Sequence, residues 1–276
     1  MCTTCGCSKD AKATITKFKG TKSLLLKPAG SFALKPVEDP NRVHLEIKIL
    51  AKNDEIAAKN RSYFQTHQIL ALNLMSSPGS GKTTLLERTI RELKGQLLIQ
   101  VIEGDQETTN DAERIRATGC PVVQINTGAG CHLEAKMLSE GISALAPSNN
   151  SIVMIENVGN LVCPSLFDLG EKAKVVILSV TEGEDKPLKY PYMFKNADLM
   201  ILNKIDLLPY VQFDMAKCVE YARQVNPKLR IIKLSATKGE GVDERYSWLR
   251  KEGSSLGIVP IKNPSNRPGT HLWTNL

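Results

Sequence analysis

The sequence predicts an α/β domain with a mostly parallel β-sheet covered by helices on both faces. Two observations carry that prediction. From residue 69 onward, short and nearly continuous apolar runs alternate with segments of helical periodicity, as expected for strands buried on both faces and joined by crossover helices. The first of those runs, residues 69–75, leads straight into a glycine loop, Ser-Ser-Pro-Gly-Ser-Gly-Lys-Thr-Thr at residues 76–84. A strand, a glycine-rich turn and a helix in that order form a phosphate-binding unit.

Each element has its own signal. Asp39-Pro40-Asn41 offers a helix start, and Val43, Ile47 and Leu50 recur at helical spacing, so a leading helix is expected to run to about residue 63. Strands are expected at 69–75, 97–102, 122–125, 152–155, 175–180, 199–202 and 231–234. Helices are expected at 84–93 and near 109–117, 131–143, 213–224 and 241–251. Residues 1–36 combine a cysteine cluster with lysines, threonines and glycines and lack clear periodicity. They read as a flexible metal-binding arm. The main domain is expected over 37–255, its leading helix within 37–65, and a polar tail over 256–276.

Bulk composition narrows the function classes. The chain has 276 residues, 42% of them apolar and 24% charged, which is ordinary for a globular protein. No run of about 18 apolar residues occurs, so no membrane span is expected. The net charge of +7 belongs almost entirely to residues 1–36, where seven lysines face Asp10 alone. The rest is close to neutral, which argues against nucleic-acid binding. Seven cysteines without an export signal fit a reducing, cytoplasmic location better than a disulfide framework. Cys120 and Cys218 lie in apolar surroundings and read as packed thiols.

The glycine loop makes a P-loop NTPase the expected fold. Gly79, Ser80 and Gly81 would let backbone N–H groups approach phosphate oxygens. Lys82 would neutralise the outer phosphates, Thr83 would place its hydroxyl on Mg²⁺, and Thr84 continues the helix start. Asn203-Lys204-Ile205-Asp206 follows a later strand. Asp206 can accept two hydrogen bonds from guanine that adenine cannot supply, and Lys204 can lie along the base. Ser235, Ala236 and Thr237 follow the next strand, where a backbone amide steadies the guanine carbonyl. GTP and its product GDP are therefore the expected nucleotides. Asp105, in Glu103-Gly-Asp105, is expected to bind Mg²⁺ through water or to orient the attacking water. Glu156, in Glu156-Asn-Val-Gly159, takes the place of a switch aspartate, and Gly159 would donate its N–H to the γ-phosphate. No glutamine or arginine declares itself as a catalytic element, so slow turnover of roughly 10⁻³ s⁻¹ or less is expected.

Two clusters carry soft metal ligands. Cys2, Cys5 and Cys7 place three thiols within six residues, with Gly6 permitting a tight turn. Cys131, His132 and Cys163 form the second set, and Cys163 lies four residues past Gly159. Thiolate plus imidazole suits Zn²⁺ or Ni²⁺, and affinity alone does not separate them. Neighbouring residues on a helix diverge by roughly 100°. With a helix over 131–143, Cys131 and His132 are expected to suit a site shared across a two-fold dimer better than one within a single chain.

Taken together these motifs resemble the HypB family, the nickel-incorporation GTPases of [NiFe]-hydrogenase maturation. The resemblance rests on the phosphate loop, Glu103-Gly-Asp105, Thr127-Gly-Ala-Gly-Cys131-His132-Leu, Glu156-Asn-Val-Gly-Asn-Leu-Val-Cys163-Pro164, Glu182-Gly-Glu-Asp-Lys186-Pro187 and Asn203-Lys-Ile-Asp206. It covers about residues 41–250 and the N-terminal Cys-x-x-Cys-Gly-Cys. It implies a SIMIBI-like GTPase that forms a GTP-dependent homodimer, with Cys131, His132 and Cys163 as nickel or zinc ligands at or near the interface. It also implies a HypA-type nickel metallochaperone and the hydrogenase large-subunit precursor as partners. Lys186 falls in a motif that the family places near the nucleotide or the partner subunit. The four histidines, His44, His67, His132 and His271, are scattered, so nickel storage is not expected. The rival readings are a nickel GTPase for another enzyme such as urease, a passive zinc- or nickel-binding protein, and a P-loop kinase.

Overall fold

The computed structural model describes residues 40–105, 110–128 and 130–259. The expected ligands Cys2, Cys5 and Cys7 and the expected 1–36 arm lie outside the described residues. The leading helix α1 spans Pro40–Thr66. Seven strands follow: β1 Leu70–Ser76, β2 Ile99–Asp105, β3 Val122–Asn126, β4 Ile152–Glu156, β5 Ala173–Ser179, β6 Leu199–Asn203 and β7 Arg230–Lys233. Helices α2 Lys82–Leu93, α3 Asn110–Arg116, α4 Ala135–Leu145, α5 Lys186–Lys189, α6 Pro191–Lys195, α7 Met215–Val225 and α8 Val242–Ser255 connect or follow them.

All pairings are parallel, in the order β3-β2-β4-β1-β5-β6-β7. The inner strands β1, β4 and β6 are buried at every residue. The edge strands β3 and β7 are only half covered. That is why the inner strands read as unbroken apolar runs. Odd and even residues serve different layers. Leu70, Leu72 and Leu74 of β1 face the cluster containing Leu85, Ile90, Tyr246 and Leu249 of α2 and α8. Ala71 faces Phe64, Leu138 and Ile142 of α1 and α4, while Met75 joins Met193, Phe194 and Cys218 of α6 and α7.

The strand order turns at β1, which has β4 on one side and β5 on the other. Parallel sheets bind ligands at the carboxyl ends of their strands beside such a turning point. The phosphate loop leaves β1 there. Two expectations change. Leu256 packs on the core and Ile258 is buried in it, so the folded part reaches at least Ile258 rather than ending at 255. The helix expected from 131 begins only at Ala135. Short helices α5 and α6, each carrying a proline in its first turn, are too brief for periodicity to reveal.

Candidate nucleotide and metal sites

The structure gathers the three nucleotide motifs around the start of α2. Gly81 adopts φ +92°, and a Cβ there would lie 2.5 Å from Asn203 Nδ2, so both conformation and contact demand glycine. Asn203 Nδ2 donates to the Ser80 carbonyl at 2.9 Å, and its Oδ1 accepts from the Ala236 amide at 3.0 Å. Lys204, in the left-handed region at φ +62°, donates through Nζ to the Gly79 carbonyl at 2.7 Å. The loop carrying Asn203 and Lys204 thus braces the glycine loop on one side and the 235–237 loop on the other. Arg88 adds hydrogen bonds to the carbonyls of Ala236 and Thr237, both at 3.1 Å. Asp206 Oδ1 is buried with no protein partner. A ligand donor satisfies such an oxygen.

A cavity of about 520 Å³ opens along the phosphate loop, lined also by Glu103, Asp105, Arg114, Val158, Gly159 and Lys204. Glu156 Oε1 accepts from Thr83 Oγ1 at 2.6 Å and lies 3.2 Å from Lys82 Nζ. Its Oε2 is buried without a partner, as is Glu103 Oε2. Parallel pairing sets Glu103 beside Glu156. Burial, with the charges of Glu156 and Asp105, pushes the Glu103 carboxyl up to about 8. Buried carboxyl oxygens lacking donors, next to a lysine and a threonine hydroxyl, suit a hydrated divalent cation. A Cβ on Gly159 would lie 3.1 Å from Pro78 N, so the segment after β4 abuts the glycine loop.

Three residues, Glu103 and Arg114 in the cavity and Glu182 beside the glycine loop, escape sequence reasoning. In the sequence Glu103 is visible only as part of the Glu103-Gly-Asp105 motif, although an acid at the end of an apolar strand is a signal of its own. Arg114 donates to Glu87 Oε2 at 2.7 Å and to Thr84 Oγ1 at 3.2 Å, yet on a short helix its sequence looks like any solvated arginine. Glu182 accepts from Ser77 Oγ and from the Ser179 amide, the latter at 2.9 Å.

The second site lies beside these strand ends. Cys131, His132 and Cys163 are buried, and one ligating atom from each lies within 4.8 Å of the others. Because α4 starts after this pair, Cys131 and His132 sit in irregular backbone and converge within one chain, so helical divergence does not apply. Cys131 Sγ is 3.6 Å from His132 Nδ1. Burial lowers His132 to about 4, leaving its ring neutral at pH 7 and able to donate a lone pair to a metal. The ring stacks on Phe167, centroids 4.1 Å apart. Its Nε2 has no hydrogen-bond partner, the Glu134 carboxylate being 3.9 Å away. Two thiols and a neutral imidazole at this spacing suit a soft divalent ion.

Helix α1 straps this site from outside. Asn53 donates to the Asp168 carbonyl at 2.7 Å and accepts from the Ala135 amide at 2.9 Å. Asn60 reaches the carbonyls of Ala135 and Leu169 at 2.9 and 3.1 Å. Arg61 places one nitrogen 2.7 Å from both Asp168 oxygens. Cys120 and Cys218 are buried elsewhere, and burial pushes both thiols up to about 12, as inert packed cysteines require.

The sequence model of the CobW/HypB/UreG nucleotide-binding domain matches residues 70–233. Hydrogenase maturation factor HypB of Escherichia coli K12 is 58% identical over 210 residues, covering 76% of this chain and 72% of that protein. The chain belongs to the HypB family. HypB of Azotobacter vinelandii is 47% identical over 289 aligned positions, covering 93% of this chain and 94% of its own length. Among solved structures, HypB of Archaeoglobus fulgidus superposes with a TM-score of 0.70 at 39% identity, covering 74% of this chain and all of that one. HypB of Helicobacter pylori, solved in complex with nickel, gives 0.70 at 38% identity, covering 75% and 97%. The expected family and parallel P-loop fold are both confirmed.

Proposed function

We propose that this chain hydrolyses GTP slowly and uses its nucleotide state to control nickel delivery to a [NiFe]-hydrogenase large-subunit precursor. The observation that carries the proposal is the adjacency of two built sites. Residues 157–162 link Glu156, at the end of β4 and hydrogen-bonded to Thr83, to Cys163 of the Cys131/His132/Cys163 cluster. In this reading Gly79–Thr84 hold the phosphates, and Asp206 selects guanine with help from Asn203, Lys204 and the 235–237 loop. Thr83 and Asp105 hold Mg²⁺, which neutralises phosphate charge when bound. Lys82 meets the outer phosphates, Glu156 orients the water shell, and the Gly159 N–H marks the γ-phosphate.

Three ligands from one chain leave a tetrahedral or square site one position short. An open position favours transfer over permanent storage, and a homodimer partner or acceptor can complete it. Cys2, Cys5 and Cys7 are proposed as a second nickel or zinc site. A HypA-type metallochaperone is proposed to pass metal onward, in the cytoplasm. Two measurements test this reading. Purified full-length protein should turn over GTP but not ATP, and it should lose one nickel equivalent when Cys131, His132 and Cys163 are replaced by alanine. Absence of GTP turnover, or unchanged nickel stoichiometry in that variant, overturns it.

A further inference from the structure

We infer that Asn157 is the positioning residue through which the nucleotide side of the domain sets the His132 side of the metal site. The inference rests on the function proposed above and adds a route distinct from the chain path to Cys163. Asn157 follows Glu156, whose carboxylate contacts Thr83 and Lys82. Its side chain is fully buried. Oδ1 accepts from the Leu133 amide at 3.1 Å and from the Val158 amide at 3.0 Å. Leu133 is the residue directly after His132.

A second contact holds the same residue. The buried Leu133 side chain lies over Gly104, where a Cβ would come within 2.7 Å of it. Gly104 sits between Glu103 and Asp105 at the end of β2. Leu133 is therefore held through its backbone amide on one side and by packing on the other; Gly104 lines the nucleotide cavity, and Asn157 directly precedes Val158, which lines it too.

The amide side of Asn157 extends the network. Nδ2 donates to Asn73 Oδ1 at 3.1 Å, and Asn73 Nδ2 donates to Glu171 Oε1 at 3.1 Å. Glu171 Oε2 accepts from the Leu169 amide at 2.7 Å, two residues past the Phe167 ring that stacks on His132. One buried side chain thus touches the metal loop directly and reaches the ring support through two more residues. Asparagine alone supplies both the acceptor for Leu133 and the donor for Asn73 in this span. If nucleotide contacts at Glu156 or Gly159 turn this backbone, Oδ1 must either carry the Leu133 amide with it or leave a buried N–H unpaired. Packed, hydrogen-bonded contacts of this kind carry coupling between sites.

The test uses full-length protein carrying Cys2→Ala, Cys5→Ala and Cys7→Ala, so that Ni²⁺ titration reports the domain site. Dissociation constants are measured with GDP and with a non-hydrolysable GTP analogue. The parent ratio is expected in the 5- to 150-fold range typical of coupled sites. Asn157→Ala is expected to bring that ratio close to one while GDP binding is retained, and Leu133→Ala to move it the same way. Should Asn157→Ala fail to fold, the Leu133 amide resonance in selectively ¹⁵N-leucine-labelled parent protein decides. It is expected to shift between GDP and analogue without metal, and a fixed resonance overturns the inference. An unequal parent ratio left unchanged in both variants overturns this route but leaves the nickel GTPase reading standing. Equal parent constants overturn both.

Discussion

Replacing Glu103 with glutamine should raise stability at pH 8 and fail to do so at pH 5. Glu103 is 3% exposed, faces Glu156 in the sheet register and has one oxygen without a donor. Burial and the neighbouring carboxylates raise its pKa from 4.5 to about 8. A folded-state pKa above the unfolded value means that the native protein holds the proton more tightly. The contribution of Glu103 to native stability is therefore most favourable below pH 4.5 and falls as pH rises from there toward 8. At ~1.36 kcal/mol per pH unit, that interval caps the penalty at about 5 kcal/mol. Glutamine removes the charge but keeps a buried polar group unpaired, which costs about 1–3 kcal/mol. The net gain at pH 8 is then about 2–4 kcal/mol, while at pH 5 the variant is neutral or slightly worse. For a domain of this size each kcal/mol moves Tm by roughly 2–4 °C. Thermal unfolding in EDTA without nucleotide reads the effect directly. Adding Mg²⁺ and GDP should stabilise the parent more than the variant, because the cation relieves the same repulsion. An equal Tm change at both pH values would refute the reasoning.

Other perturbations probe separate parts of the structure. Gly170→Ala should lower Tm by several degrees and weaken nickel binding while sparing GDP affinity. Gly170 has φ +89°, and a Cβ there would lie 2.4 Å from the Ala57 carbonyl and 2.7 Å from the Arg61 amide of α1, so the strap over the metal site must move. Asp206→Asn should weaken GDP binding by roughly 10²-fold or more, since two charge-assisted hydrogen bonds at ~1.5–3 kcal/mol each are at stake; isothermal titration measures it. Cys120 and Cys218, both raised to about 12 by burial, should resist iodoacetamide at pH 8 in native protein and react only after unfolding, as peptide mass mapping would reveal.

The architecture was legible because its inner strands are buried on both faces. Residues 152–155 and 199–202 are apolar throughout for that reason, and each lies within the strand observed. The loops after β1, β6 and β7 were legible as a group because distinctive residue types follow each strand end, and the structure brings them together. Asn203 is a case in point, holding Ser80 and Ala236 together. The metal loop was only half legible. Cys131 and His132 stand out by type, but the helix expected near 131–143 covers them, whereas α4 begins at Ala135. In the structure Leu133 instead packs on Gly104 and gives its amide to Asn157. Periodicity cannot distinguish a residue buried by a helix from one buried by a tertiary clasp. The roles of Glu103 and Asn157 depend on strand register, Glu103 against Glu156 across β2 and β4. No local pattern encodes that pairing.

The most direct test of nucleotide-controlled metal binding is the nickel dissociation constant of the full-length protein carrying Cys2→Ala, Cys5→Ala and Cys7→Ala, measured once with GDP and once with a non-hydrolysable GTP analogue. The two nucleotide states must hold the metal unequally for hydrolysis to drive release. A difference of fivefold or more is expected, lost when Cys131, His132 and Cys163 are replaced. Equal constants in the two states would contradict it.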